Sequence, residues 1–384
     1  MVSSLNRTIA ERILNELRIH NVEAGGTVLG VIAEKGSGKT QFLYHLAPQI
    51  LYIDPERGIP RRETIIYRGR KDDYWSWMYE PDFEWEGPAF RRKVYIHYHA
   101  DDSPYFSHKT THGQLGAPIR FPPDALKPYR LPIDLYHNLV PGEFNVIYEP
   151  TKYTLSQAMG DHITARSCTA AKQLKNLRLD PPLWWVEFVS FLLRYKGKEF
   201  ISIFIDEIAD ILMDASRVSG VHWHMQGTFC DEMRDFRRNN LSLYYSIHKT
   251  SDVDYRIFPK TQYFGYMFEG NLRPGSKIPR GTTSNLPIGE VVLERGGYGS
   301  VNLGKLKHRD LVTVSFGKNK RDFSAWGIPW QDPAEEEKEE KVRFDPITCP
   351  LCGYTWNPKT ATPKRCPNCN AILTLEEEWV EVEE

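Results

Sequence analysis

Ala33-Glu34-Lys35-Gly36-Ser37-Gly38-Lys39-Thr40 is the stretch on which the fold turns. It follows a short apolar run, Val28-Leu29-Gly30-Val31-Ile32, and precedes Gln41-Phe42-Leu43-Tyr44-His45-Leu46, which has helical spacing. Strand, glycine-rich loop and helix in that order, ending in Gly-Lys-Thr, form a phosphate-binding P-loop. Gly36 and Gly38 let the backbone fold tightly enough to turn its N–H groups toward phosphate oxygens. The helix N-terminus adds partial positive charge. Residues Ala33 to Gln41 are therefore the expected nucleotide-binding set. Lys39 is expected to reach the β- and γ-phosphates of ATP, and Thr40 to place its hydroxyl on Mg²⁺.

Such a loop needs a carboxylate on a neighbouring buried strand. Phe200-Ile201-Ser202-Ile203-Phe204-Ile205-Asp206-Glu207 supplies one. Asp206 is the candidate Walker-B ligand to Mg²⁺, and Glu207 the candidate group that polarises an attacking water. Ile208 to Met213 reads as helical. Thr228 reads as a helix cap with Asp231 three positions on, leading an apolar stripe of Phe229, Met233 and Phe236. Leu241-Ser242-Leu243-Tyr244-Tyr245-Ser246-Ile247 then reads as another buried strand, with His248 at its tip. In P-loop ATPases with an added strand between the two Walker strands, that tip carries a polar sensor. His248 is the candidate.

Ile205-Asp206-Glu207-Ile208-Ala209-Asp210-Ile211-Leu212, followed by Ser246-Ile247-His248-Lys249-Thr250-Ser251-Asp252-Val253-Asp254, resembles the HerA/FtsK superfamily of DNA-pumping ATPases. There the Walker-B strand runs into Asp-Glu-x-Ala-Asp-Leu and the sensor strand into a polar residue, for which this chain has His248. The resemblance covers the P-loop region and residues 198–270. It implies an additional-strand, RecA-like α/β core, ATP hydrolysis, a homo-oligomeric ring (usually a hexamer), and DNA threading the centre. An ATP-driven DNA motor, as in genome packaging or plasmid transfer, is the function it implies. A non-translocating nucleotide switch that recruits partners is the rival from another class.

The long interval between Lys39 and Asp206 contains three expected strands, 49–54, 64–67 and 143–148, and a helix over 183–193. Residues 70 to 140 read as an insertion, rich in proline and aromatics. Basic residues from Arg61 to Lys93, Arg68 among them, interleave with those aromatics. They suit either base stacking with phosphate contact or, more simply, a small β-rich subdomain with basic edges. His97 with His99, His108 with His112, and His222 with His224 lack ligand sets at metal spacing and read as structural. Arg217 and Trp223 are candidates for a DNA-facing loop, and Arg237, Arg238 and Arg256 for an arginine finger. Strands over 263–268 and 312–316 are expected to complete the sheet.

Cys349-Pro350-Leu351-Cys352 and Cys366-Pro367-Asn368-Cys369 form two C-x₂-C pairs thirteen residues apart. Four thiolates at this spacing bind Zn²⁺ tetrahedrally, and the module resembles a zinc ribbon. Such a closed site is structural, and docking to a partner protein or to DNA is its expected use. The expected division is an ATPase domain over 1–330, a charged linker over 331–344, and the zinc ribbon with an acidic tail over 345–384. Composition is globular, with 41% apolar and 26% charged residues and a net charge of −1, so overall charge points to no nucleic acid. No apolar run approaches the roughly 20 residues that span a bilayer. The charged N-terminal stretch, with Leu5, Ile9, Ile13 and Leu17 at helical spacing, is unlike a signal peptide. A cytoplasmic protein that uses thiols for metal and not for disulfides is the expectation.

Overall fold

The computed structural model describes residues 25–51, 63–69, 72–74, 94–102, 105–109, 115–118, 123–167, 179–218, 220–295, 299–305, 313–317, 346–349, 351–356 and 365–369. The expected N-terminal helix, the linker and the acidic tail lie outside them. The chain divides into two compact units, residues 1–322 and 323–384.

The first unit opens with β1 (Val28–Ile32), then α1 (Lys39–Leu51) and β2 (Glu63–Arg68). After β3 (Asp72–Tyr74), β4 (Val94–His99), β5 (Tyr105–Lys109) and β6 (Leu115–Pro118) come β7 (Leu126–Tyr129) and α2 (Pro132–Asn138). There follow β8 (Phe144–Ile147), α3 (Gln157–Arg166), α4 (Trp184–Tyr195) and β9 (Phe200–Ile205). Next are α5 (Gly220–Glu232), β10 (Leu241–Ile247), β11 (Tyr263–Tyr266), β12 (Glu290–Arg295), β13 (Gly299–Lys305) and β14 (Thr313–Gly317).

Ten strands form one sheet in the order β13-β12-β11-β1-β10-β9-β2-β8-β4-β7. From β11 to β7 every pairing is parallel; β12 and β13 add an antiparallel margin. Buried parallel strands carry apolar residues on both faces, which is how β1, β9 and β10 read. Side chains alternate between two cores. Ile201, Ile203, Ile205, Leu243, Tyr245 and Ile247 pack on the face of α4 and α5, whereas Phe204 and Tyr244 pack with Phe42, Leu43 and Leu46 of α1. Helices thus cover both faces, as an α/β layer requires. Strand β10 lies between β1 and β9, so the expected additional-strand P-loop topology is present.

Several local expectations change. Residues 49–51 continue α1 and begin no strand, because Leu46, Ala47 and Ile50 extend the apolar face begun by Phe42 and Leu43. Thr228 is inside α5 and donates to the His224 carbonyl at 3.1 Å, so it caps nothing; the helix starts at Gly220. A short 3₁₀ turn, Ile208–Asp210, replaces the helix expected after Glu207. From the stretch read as an insertion, β4 and β7 lie in the main sheet, whereas β3, β5 and β6 form a second sheet with β14. Strand β14 therefore does not complete the main sheet as expected; β11, β12 and β13 do. The described helices include none long and apolar enough to cross a membrane.

The second unit contains β15 (Ile347–Thr348) and β16 (Thr355–Trp356), an antiparallel pair that carries the first C-x₂-C between its strands.

Candidate nucleotide site and cysteine cluster

The C-terminal ends of parallel strands gather loops where ligands bind in open α/β sheets. Here the ends of β1, β9 and β10 bring together Lys39, Thr40, Asp206, Glu207 and His248. The loop after β1 turns through Gly36 (φ 85°) and Gly38 (φ 103°), a left-handed backbone that favours glycine. Within it, Ser37 is buried and its hydroxyl donates to the Glu34 carbonyl at 2.5 Å. Ala33 is buried, with its N–H bonded to the Ile247 carbonyl at 3.3 Å. Lys35 stays exposed, and Gln41 lies half-buried in the first turn of α1. The Phe42 N–H donates to the Gly38 carbonyl at 2.9 Å, so the helix grows directly out of the loop.

Lys39 is only 6% exposed. Its ammonium donates to the Ala33 carbonyl at 2.7 Å and the Glu34 carbonyl at 3.0 Å, and meets His248 Nδ1 at 2.8 Å. Burial lowers its pKa, opposed by the nearby carboxylates of Glu207, Asp206 and Glu34. The other ring nitrogen of His248, Nε2, lies 2.8 Å from Glu207 Oε2. Burial, with the Lys39 charge next to it, lowers the His248 pKa from the ordinary 6.5. A neutral ring satisfies both neighbours at once: Nδ1 accepts from the ammonium and Nε2–H donates to the carboxylate. His248 is therefore a bridge between the lysine and the glutamate.

Thr40 Oγ1 donates to Asp206 Oδ2 at 2.8 Å. Ser246, on β10, donates to Asp206 Oδ1 and accepts the Glu207 N–H at 2.9 Å. Its significance escaped sequence reasoning, although a serine one turn of the pleat before the strand tip faces the same way as the sensor position. A hydroxyl and a carboxylate in contact at the loop mouth are hard oxygen donors, and they suit Mg²⁺ shared with phosphates. Glu207 itself has φ 64° and ψ 69°, a left-handed conformation that costs a non-glycine residue on the order of 1–3 kcal/mol. Lys249 reaches Glu34 at 3.7 Å on the rim.

The remaining candidates separate. Arg237 and Arg238 precede β10, whose far end carries His248, so they occupy the opposite edge of the sheet from this site. Arg256 is held by Asp254, its Nε 3.0 and 2.9 Å from the two oxygens, and stacks over the Trp223 ring at 4.6 Å. Trp223 is thus the exposed face of a helix and not of a loop, whereas Arg217 is exposed and reaches Asp252 at 3.7 Å. Arg68 is buried among carboxylates and unavailable to phosphates or bases. His97 is buried against Asn145, Nε2 to Oδ1 3.0 Å, and burial lowers its pKa to about 4, as suits a structural histidine.

Among the described residues the four cysteines are the cluster of three or more His, Cys, Asp or Glu side chains that could hold a metal ion. Cys349, Cys352, Cys366 and Cys369 Sγ atoms all lie within 4.8 Å of one another. Cys349–Cys369 and Cys352–Cys366 are 3.7 and 3.8 Å apart. Disulfide sulfurs would be about 2.05 Å apart. A Zn–S bond of about 2.3 Å makes the edge of a tetrahedron about 3.8 Å, so the set fits Zn²⁺. Gly353, at φ 69°, turns the first knuckle so that its N–H donates to the Cys349 carbonyl at 2.9 Å.

No protein-family model and no curated protein sequence matches the chain. Among solved structures it is similar to the genome packaging NTPase B204 of Sulfolobus turreted icosahedral virus 2 in complex with ATP-gammaS. That likeness has 11% identity and a TM-score of 0.35, covering 73% of this chain and 98% of that one. The DNA-packaging ATPase B204 of Sulfolobus turreted icosahedral virus gives 10%, 0.33, 73% and 98%. ATPases 2 and 3 of Thermomonospora curvata EccC give 12% and 0.30, over 77% of this chain and 37% of that one. Scores this low leave function to be decided by the site's own geometry.

Proposed function

We propose that the chain is an ATP-hydrolysing motor that moves DNA. The observation that carries the ATPase part is the meeting of Thr40 and Asp206, with Lys39, Glu207 and His248 beside them, across two segments remote in sequence. In this reading the backbone N–H groups of residues 36–40 cradle the phosphates. Lys39 exchanges His248 for the β- and γ-phosphate oxygens. Thr40 and Asp206 would hold Mg²⁺, which supplies charge neutralisation at the phosphates. Glu207 orients and accepts a proton from the water that attacks the γ-phosphorus, while the bond to the β–γ bridging oxygen breaks to release ADP and phosphate. His248 keeps Glu207 aimed at that water.

DNA as the cargo is supported by the Asp206-Glu207-Ile208-Ala209-Asp210-Ile211 run and the Ser246-Ile247-His248-Lys249-Thr250-Ser251-Asp252-Val253-Asp254 stretch, on which the HerA/FtsK resemblance stands. A homo-oligomeric ring, a hexamer in this proposal, is the matching assembly. The zinc unit serves as a docking module for a protein partner, and reduced zinc-binding thiols suit a cytoplasmic setting.

Turnover should rise when duplex DNA is added, and Lys39→Ala should lower it by about a hundredfold or more, since it removes charge aimed at the transferring group. Persistent turnover in Lys39→Ala contradicts the site assignment. Wild-type turnover indifferent to DNA contradicts the motor and favours a nucleotide-dependent recruiting switch.

A pH profile offers a further check on His248. The neutral ring is the working form of the free site, so kcat/KM should fall in mild acid as Nδ1 protonates and repels Lys39; Glu207, Asp206 and Glu34 are the carboxylates facing the pair. His248→Gln, measured from pH 5 to pH 8, should lose that acid limb. An unchanged limb would assign it to another group.

A further inference from the structure

We infer that Arg68 is a positioning residue for the turn that carries Glu207, acting through Asp210. Its kinetic consequence rests on the ATPase reading above; its geometry does not. Arg68 ends β2, the strand directly beside β9, so its side chain meets the residues that follow Asp206. The guanidinium is only 3% exposed. Nε and Nη2 donate to the two oxygens of Glu149 at 3.2 and 3.0 Å, and Nη1 donates to Asp210 Oδ2 at 2.9 Å. Glu149 also accepts from Trp185 Nε1 at 3.0 Å, and Trp185 is fully buried in α4. A planar fork held bidentately by one carboxylate has a fixed orientation, so its third donor points at one place. That place is Asp210.

Asp210 closes the 3₁₀ turn, its N–H donating to the Glu207 carbonyl at 3.2 Å. Glu207 has the left-handed backbone described above, which persists only where surroundings over-determine it. From β10, Ser246 Oγ accepts the Glu207 N–H at 2.9 Å. From β2, Arg68 holds the other end of the turn. The glutamate is therefore pinned from both neighbouring strands. The two carboxylates on Arg68 divide the work: Glu149 orients the guanidinium, and Asp210 transmits that orientation to the turn.

Asp210→Ala and Asp210→Asn in the full chain test this. Alanine leaves the Arg68–Glu149 pair in place, whereas asparagine keeps an oxygen that Nη1 can reach. Asp210→Ala should lower kcat about tenfold to a hundredfold, the scale of a small misplacement at the reacting group, with KM for ATP within about twofold. Asp210→Asn should recover most of kcat. A crystal structure of Asp210→Ala should show Glu207 out of the left-handed region and its carboxylate off His248. The assignment is overturned if Asp210→Ala keeps wild-type kcat, if kcat falls only in step with thermal stability, or if Glu207 keeps its φ in that variant. Should the wild type fail to hydrolyse ATP, the ATPase reading fails, while the Glu207 backbone in Asp210→Ala still decides the positioning.

Discussion

Glu207→Gln is expected to abolish multiple turnover while leaving ATP bound. The amide keeps the shape of the side chain and an oxygen for the His248 Nε2–H, now at 2.8 Å from the carboxylate. It loses the negative charge that orients and deprotonates water, a contribution worth roughly 10²- to 10⁴-fold. Lys39, Thr40 and Asp206, which do the binding in this mechanism, are untouched. Single-turnover hydrolysis and equilibrium binding of ATP should therefore part company in this variant. Loss of binding together with turnover would mean that Glu207 holds the loop and not the water.

Metal removal should unfold the second unit. Among its described side chains the buried ones are Cys349 and Cys366, so the cysteines themselves are what packs there. With no apolar core among those residues, a bound zinc ion would supply the folding energy, about 10–16 kcal/mol for a structural zinc site. A chelator, or Cys366→Ser, should bring amide exchange at Cys349 and Gly353, whose N–H groups are hydrogen-bonded here, to unprotected rates. β1 and β10, fully buried, should remain protected. Protection that survives demetallation would show that the cysteines are dispensable to this fold.

Much of the site was legible because its chemistry is local. A glycine loop needs only neighbours in sequence, and two C-x₂-C pairs announce a metal by spacing alone. Asp206-Glu207 was legible because a P-loop calls for a carboxylate on a neighbouring strand; alone, an apolar strand ending in two acids reads equally well as a buried strand before a helix N-terminus. Harder to read were contacts made by the sheet. Ser246 matters because β10 lies against β9, and Arg68 because β2 lies on the other side of β9; no spacing reports either adjacency. Arg68 read as a basic residue among aromatics, whereas its burial makes it an internal brace. Strands β4 and β7 were hidden in the same way: Val94-Tyr-Ile-His-Tyr-His alternates only weakly, and its place in the parallel sheet comes from pairing with β8 and β7. At 49–51 the opposite error arose, since a β-branched, apolar run resembled a strand while continuing the face of α1. Thr228 had a cap's sequence signature, but its hydroxyl bonds back to its own helix, a use that only the helix start at Gly220 reveals.

The structure of the full chain with Mg²⁺ and a nonhydrolysable ATP analogue is the most direct test of the site. The expected result has the γ-phosphate in place of His248 on the Lys39 ammonium, the ion held between Thr40 and Asp206, and Glu207 facing a water in line with the γ-phosphorus. A nucleotide bound elsewhere, or the Lys39–His248 and Thr40–Asp206 contacts unchanged with nucleotide present, would contradict it.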